Sequence, residues 1–248
     1  MSLARRGIVV TRPRELAEPL ADALSRRGAR PIVFPAIEIE PLPPPPALQR
    51  IAEYDILVFV SPSAVHVGLR AVPQWPRGVT AAAIGSGTRR ELQSAGVSPV
   101  IAPAAGADSE SLLAAPQMHD VAGKRVLIVR GENGRPTLGD ALRARGAHVE
   151  YADCYRRRRP IADEQPLLEA WRRGDVDALT VSSSEGLDNF LVMTGAEGRA
   201  LLAKTPLFVP HPRVASHATF RLKSQIVVAG PGDDELIERL VAYFDERR

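Results

Sequence analysis

The sequence predicts an α/β protein in which parallel sheets are flanked by helices, and three observations carry that expectation. A strand-helix unit is written twice, strand-length apolar runs alternate with amphipathic helices along the chain, and the 248 residues suffice for two lobes that each bury a core. The repeat is the most informative of the three. Ile8 to Arg12 aligns without a gap on Val126 to Arg130, and Ala23 to Gly28 on Ala141 to Gly146, at a constant offset (126 − 8 = 118; 146 − 28 = 118).

Each copy opens with a buried strand that ends in an arginine, Arg12 or Arg130. A helix follows with Leu20 and Leu24, or Leu138 and Leu142, spaced to share one face, and Gly28 or Gly146 stops it. Next comes an extended alternating segment closed by proline: Ile32 to Pro41 leading into Pro43 to Pro46, and Val149 to Tyr155 leading into Arg156 to Pro160. Such segments suit semi-rigid connectors, so two of them at equivalent positions suggest two crossings between lobes. Tyr54 to Val65 then answers to Val176 to Leu187 at offset 122 (176 − 54 = 122), each a strand running into a Ser-rich turn that opens a helix. Weaker matches near offset 125 relate Ala83 to Arg90 with Phe208 to Ala215, placing Thr88 level with Arg213, and Asp108 to Leu112 with Asp233 to Ile237.

Composition excludes several classes of function. Hydrophobic content of 45% and charged content of 25% fit an ordinary soluble globular protein. No apolar stretch reaches the ~20 residues of a membrane span, and the first residues lack the apolar core of a signal peptide. One cysteine, Cys154, leaves no internal disulfide and fits a reducing compartment, so the expectation is a cytoplasmic protein. A net charge of +3 with only 5% aromatic residues argues against a nucleic-acid surface, although Arg156 to Arg159 is a concentrated basic run. Arg26, Arg27, Arg89 and Arg90 read as solvated helix faces. His211 and His217 are six apart with no cysteine beside them, which does not suit zinc. Gly85-Ser86-Gly87 lacks the rest of a dinucleotide fingerprint. Neither cofactor nor metal is expected.

Taken together and in order, Val10-Thr11-Arg12-Pro13, Phe34-Pro35 with Ile37 to Pro41, Val60 to Val65, Ile84 to Thr88, Gly123 to Leu127 with Arg130-Gly131, Cys154-Tyr155, Ser182 to Leu187 and Pro210 to Arg213 resemble the uroporphyrinogen-III synthase family over essentially the whole chain. A cut of the repeat alone would give tandem domains meeting near residue 122. The resemblance implies instead two interleaved lobes joined by a two-stranded β-ladder. Residues 1–37 and 160–248 would form one lobe, 42–152 the other, and 38–41 with 153–159 the ladder. It further implies a cofactor-independent lyase that cyclises the small molecule hydroxymethylbilane, with loss of water and inversion of ring D, to uroporphyrinogen III in haem biosynthesis. The protein would be a monomer.

An active cleft between the lobes is then expected where strand ends meet helix starts. Turns rich in small polar residues would present backbone N–H groups to the carboxylates of the substrate. On that basis Arg12, Ser61, Ser63, Gly85, Ser86, Thr88, Arg130, Ser182, Ser183, His211 and Arg213 are the candidate substrate-binding residues. The same turns also read as plain helix caps. Tyr155 is the candidate catalytic residue by the resemblance, a phenol facing the cleft that donates to the departing hydroxyl; its alternative is an ordinary half-buried strand tyrosine. Thr88 either orients substrate or caps its helix, and Arg213 stands where the family can carry a second threonine, so it would bind a carboxylate instead. A non-catalytic two-lobed module closing on an anionic ligand would use the same turns.

Overall fold

The computed structural model describes residues 3–247. In chain order the elements are β1 (Gly7–Val10), α1 (Arg14–Arg26), β2 (Arg30–Val33), β3 (Glu38–Pro41), α2 (Pro46–Gln49), β4 (Ile56–Phe59), α3 (Pro62–Gly68), β5 (Thr80–Ala83), α4 (Ser86–Ser94), β6 (Val100–Ile101), α5 (Ser109–Leu113), β7 (Arg125–Gly131), α6 (Thr137–Ala144), β8 (His148–Arg158), α7 (Gln165–Arg172), β9 (Ala178–Thr180), α8 (Ser184–Leu202), β10 (Leu207–Val209), α9 (Pro212–Arg221), β11 (Ile226–Val228) and α10 (Asp233–Asp245). The chain divides into two compact units, unit 1 from Met1–Glu38 with Arg158–Arg248, and unit 2 from Ile39–Arg157. The boundaries fall inside β3 and inside β8. A cut near residue 122 would pass through unit 2.

Among the described residues, unit 1 carries a sheet of order β11-β10-β9-β1-β2, and the sheet of unit 2 has the order β3-β8-β7-β4-β5-β6. All the pairings within β1, β2 and β9 to β11, and within β4 to β8, are parallel. The repeat explains the likeness of the two orders. In unit 1 the first copy supplies β1 and β2 and the second supplies β9, β10 and β11; in unit 2 the second copy supplies β7 and β8 and the first supplies β3, β4, β5 and β6. Each sheet is therefore completed by strands from both halves of the sequence.

Strands this apolar require cover on both faces. In unit 1, Val9, Leu179, Leu207 and Val209 pack with Phe190, Leu187 and Trp171 on one side. Ile8, Val10, Ala178 and Phe208 pack with Leu20, Leu24, Leu240 and Phe244 on the other. Unit 2 repeats the arrangement: Leu57, Phe59, Leu127 and Val129 face Ala64, Val65 and Leu92. Ile56, Val58, Val126 and Ile128 face Leu112, Leu138 and Leu142. Burial of a side chain of this size contributes roughly 1.5–3 kcal/mol.

Both repeat helices end at a glycine in the left-handed region, Gly28 (φ 85°) and Gly146 (φ 86°), the conformation that lets the chain turn directly into the next strand. The second helix is shorter at its start. Position 14 of the first copy corresponds to 132 (14 + 118 = 132), whereas α6 begins at Thr137, because residues 132–136 form a turn instead.

A Cβ on Gly7, at the start of the interior strand β1, would lie 1.7 Å from the carbonyl oxygen of Asp175. Gly7→Ala should therefore destabilise unit 1 by roughly 1–3 kcal/mol, read as a lower urea midpoint with an unchanged slope. Burial pushes the Cys154 thiol up to about 12. Since the thiolate is the reactive form, Cys154 should react with a disulfide reagent at pH 8 at least about 100-fold more slowly in the native protein than in urea, and equal rates would contradict its burial.

Candidate active site

In each sheet the chain runs outward in two directions from a central pair. From β1 it proceeds to β2, and from β9 to β10 and β11; in unit 2 it proceeds from β7 to β8, and from β4 to β5 and β6. That reversal makes β1/β9 and β4/β7 topological switch points, beyond whose carboxyl ends open α/β sheets bind ligands. Of the candidate residues, Arg12, Ser61, Ser63, Arg130, Ser182 and Ser183 lie at or just beyond these ends; Gly85, Ser86 and Thr88 follow β5, His211 and Arg213 follow β10, and Tyr155 lies on β8.

In unit 2, Ser61 follows β4 and caps α3, its Oγ accepting from the Ala64 N–H at 3.0 Å. The same Oγ lies 3.0 Å from the Tyr155 hydroxyl at the far end of β8. Tyr155 is more enclosed than the sequence suggests: 4% exposed, its ring belongs to the core beside Ala64 and Cys154 and does not stand half-buried at a surface. Since a hydroxyl oxygen has two lone pairs, Ser61 Oγ can accept from Ala64 and still exchange a hydrogen bond with the phenol in either direction. Ser63, in the first turn of α3, is also buried.

Beyond β5, the α4 helix starts at Gly85, which has no side chain to cap it. Here α4 differs from the other three Ser- or His-bearing starts. Ser61, Ser183 and His211 each fill their own cap, through Ala64 N–H, Gly186 N–H and Arg213 N–H. The amide donors at Ser86 to Thr88 thus combine a favourable helix dipole with the absence of a side-chain cap. Gly85 itself must be small because a Cβ there would lie 2.9 Å from the Ala107 Cα.

In unit 1 the ends of β1 and β9 are stitched together by a reciprocal pair that the sequence reading missed. Thr11 Oγ1 donates to the Thr180 carbonyl at 2.8 Å, and Thr180 Oγ1 donates to the Val9 carbonyl at 2.9 Å, both buried. Ser182 is exposed just beyond them and Ser183 caps α8. His211 and Arg213 are exposed at the start of α9. The caps correct the proposed match of Thr88 with Arg213. With Gly85 and His211 both extended N-caps, Thr88 is the third residue of its helix and its counterpart is Val214, also buried, while Arg213 is the second. The strands agree with the caps: Ala81 pairs with Leu57 as Leu207 pairs with Leu179, so strand and helix alike lie at offset 126 (207 − 81 = 126; 211 − 85 = 126), one more than the weak sequence match.

The two strand-end arginines hold the turns together. Arg12 donates to Asp233 Oδ1 at 2.5 Å. Arg130 donates to Asp153 Oδ1 at 2.7 Å and to the Gly134 carbonyl at 2.9 Å, and its guanidinium lies 3.7 Å from the centre of the Tyr151 ring. Each therefore has a carboxylate partner within its own unit, in contrast to the expectation of groups held for substrate. Arg156, the first of the basic run, forks onto Glu132 at 2.7 and 3.2 Å and holds that carboxyl below the usual carboxylate range. His217 contacts Asp188 at 2.9 Å. Among the described residues no group of three or more His, Cys, Asp or Glu side chains could hold a metal ion.

Two cavities of unit 2 lie at the opposite ends of its strands. One, about 640 Å³, is lined by Tyr54, Arg125, Arg143, His148 and Glu150; the other, about 630 Å³, by Asp55, Thr80, Val100, Asp120 and Lys124. In the first, burial and the Glu150 carboxylate push the Tyr54 phenol up to about 12. Neither cavity includes a residue of the candidate site. Among the described residues no helix is long and apolar enough to cross a membrane.

The sequence profile of the family described as uroporphyrinogen-III synthase HemD matches residues 18–238. The uroporphyrinogen-III synthase of Escherichia coli K12 is 35% identical over 188 residues, covering 73% of this chain and 76% of that one. Its counterpart from Salmonella typhimurium LT2 is 32% identical over 241 residues, 94% of this chain and 98% of that one. A crystal structure of a mutant uroporphyrinogen III synthase from the extremely thermophilic bacterium Thermus thermophilus superimposes with a TM-score of 0.59 at 19% identity, covering 97% and 99% of the two chains, a likeness of fold. With the profile spanning most of its length and close-to-full-length relatives above 30% identity, this chain belongs to the uroporphyrinogen-III synthase family.

Proposed function

We propose that this protein is a cofactor-independent lyase that cyclises hydroxymethylbilane to uroporphyrinogen III in the haem pathway, as the names of its relatives indicate. The observation in the structure that best supports a chemical role is the Ser61–Tyr155 pair beyond the β4/β7 switch point, a phenol whose oxygen has a hydroxyl neighbour. Tyr155 donates to the hydroxyl that leaves ring A as water. A protonated phenol has a proton to donate and is a poor base. The resulting electrophile can close on ring D in either sense. The enzyme favours attack by the substituted carbon of ring D, through a spiro intermediate, by binding that geometry more tightly than the alternative.

The carboxylates of the linear tetrapyrrole would be bound by the N–H donors and hydroxyls at Ser63 and at Gly85 to Thr88, by Ser182 and Ser183, and by the exposed His211 and Arg213. Each hydrogen bond to a charged group contributes roughly 1.5–3 kcal/mol. Arg12 and Arg130 would contribute by fixing the turns through Asp233 and Asp153. Residues 38–41 and 153–159 would act as the ladder joining two lobes. The working form is inferred to be a cytoplasmic monomer that binds neither nucleic acid nor membrane. Engagement of Arg156 by Glu132 supports the former, since it removes one charge from the basic run.

Freshly prepared hydroxymethylbilane incubated with the purified protein should yield the type III isomer. A product containing only the type I isomer, which forms spontaneously, would refute the assignment. Tyr155→Phe should lower turnover several-fold, an effect of about 1 kcal/mol on the barrier, without unfolding the protein; wild-type turnover would return Tyr155 to a packing role.

A further inference from the structure

Tyr155 occupies a face of its sheet that strict alternation would assign to its neighbours. On β8, Val149 and Tyr151 pack against the α6 side of the sheet, while Ala152 and Cys154 join the core on the α3 side. By period two, residue 155 belongs with 149, 151 and 153. It instead joins Ala152 and Cys154. The register gives the cause: Arg130 pairs with Asp153, but the next residue, Gly131, pairs with Tyr155, so Cys154 is an extra residue in a β-bulge. The bulge re-aims the tyrosine ring towards the capped start of α3.

The partner strand is shaped to receive it. A Cβ on Gly131 would lie 2.7 Å from both Cε2 and Cζ of Tyr155 and 3.1 Å from its hydroxyl oxygen, closer than real Cβ contacts allow. Immediately afterwards Glu132 N–H donates to the Tyr155 carbonyl at 2.8 Å, and the Glu132 carboxylate takes both arms of Arg156. Arg130 on the near side of the bulge is likewise tied to Asp153. Ion pairs thus pin β7 to β8 on both flanks of the single irregular residue.

We propose that Gly131 and the Glu132–Arg156 ion pair are positioning residues for Tyr155: glycine provides the space for the ring and the ion pair locks the bulge that points its hydroxyl at Ser61. The inference rests on the reading of Tyr155 as the donor to the departing hydroxyl. Preorganising that donor places it before the substrate arrives, so its loss acts on turnover more than on binding.

A double-mutant cycle in the full chain tests it, with kcat, KM and the ratio of type III to type I product measured for wild type, G131A, Y155F and G131A/Y155F. G131A should lower kcat about as much as Y155F does, with KM within about two-fold, and Y155F should cost less than about two-fold more in the G131A background. Effects of the two substitutions that multiply would overturn the positioning role while leaving Tyr155 as donor. Y155F with wild-type kcat would overturn the reading of Tyr155 and the proposal with it. Because G131A crowds the core, E132Q and E132Q/Y155F provide a second cycle at a partly exposed pair. E132Q should lower kcat about two- to five-fold only when Tyr155 is present, and an E132Q enzyme with wild-type kcat would overturn the part assigned to the ion pair.

Discussion

The structure depends on two parallel ladders that join one sequence repeat to the other. Ile56 to Phe59 of β4 pair with Val126 to Val129 of β7, and Ile8 to Val10 of β1 pair with Ala178 to Thr180 of β9. These strands are the middle of their sheets, buried on both faces. Neither repeat completes a sheet alone: the first supplies two strands of the unit 1 sheet and four of the unit 2 sheet, the second three and two. The apolar faces that would otherwise meet water are covered only when strands about 70 to 170 residues apart come together, which places most of the stabilising burial in long-range contacts.

The same two ladders create the chemistry. A sheet wound in one direction has no reversal; where β4 meets β7 and β1 meets β9, successive crossovers diverge and the strand ends stand open. The residues there fall into two groups with different physical tasks. Thr11 with Thr180, Arg12 with Asp233 and Arg130 with Asp153 satisfy one another and make the strand ends rigid. The α4 start, beyond neighbouring β5, has a glycine at its N-cap and so no side chain there to accept from its amides.

Much of this was legible in the chain itself, and the parts that were not have a common cause. The duplicated Leu20/Leu24 and Leu138/Leu142 faces, the Gly28 and Gly146 stops and the Ser61 and Ser183 caps are local, so residue type and spacing reveal them. A repeat tells which segments are alike and not which will pair, so the exchange of strands between copies depends on contacts that no window of sequence contains. The partners of Arg12 and Arg130 were hidden for the same reason, Asp233 being 221 positions from Arg12. Val214, not Arg213, matches Thr88 because the strands and caps here lie at offset 126, and so weak a sequence match does not distinguish 126 from 125. The bulge did leave a trace. Ala152, Cys154 and Tyr155 are apolar or aromatic at 152, 154 and 155, a break in alternation that marks an inserted residue.

The division of the chain sets the order in which the protein can be made. Unit 2 is one unbroken stretch from Ile39 to Arg157, and all the strands of its sheet have left the ribosome once β8 has emerged. Unit 1 must wait, its first 38 residues holding β1 and β2 with no β9 to flank them until more than a hundred further residues have been translated. During that interval the apolar edge of β1, Ile8 to Val10, is an unsatisfied strand on a nascent chain, the kind of surface that chaperones shelter. A ribosome that stalls after residue 157 would release a finished half attached to an orphaned hairpin of strand and helix, so the price of interleaving is a protein whose oldest residues are among the last to find their place.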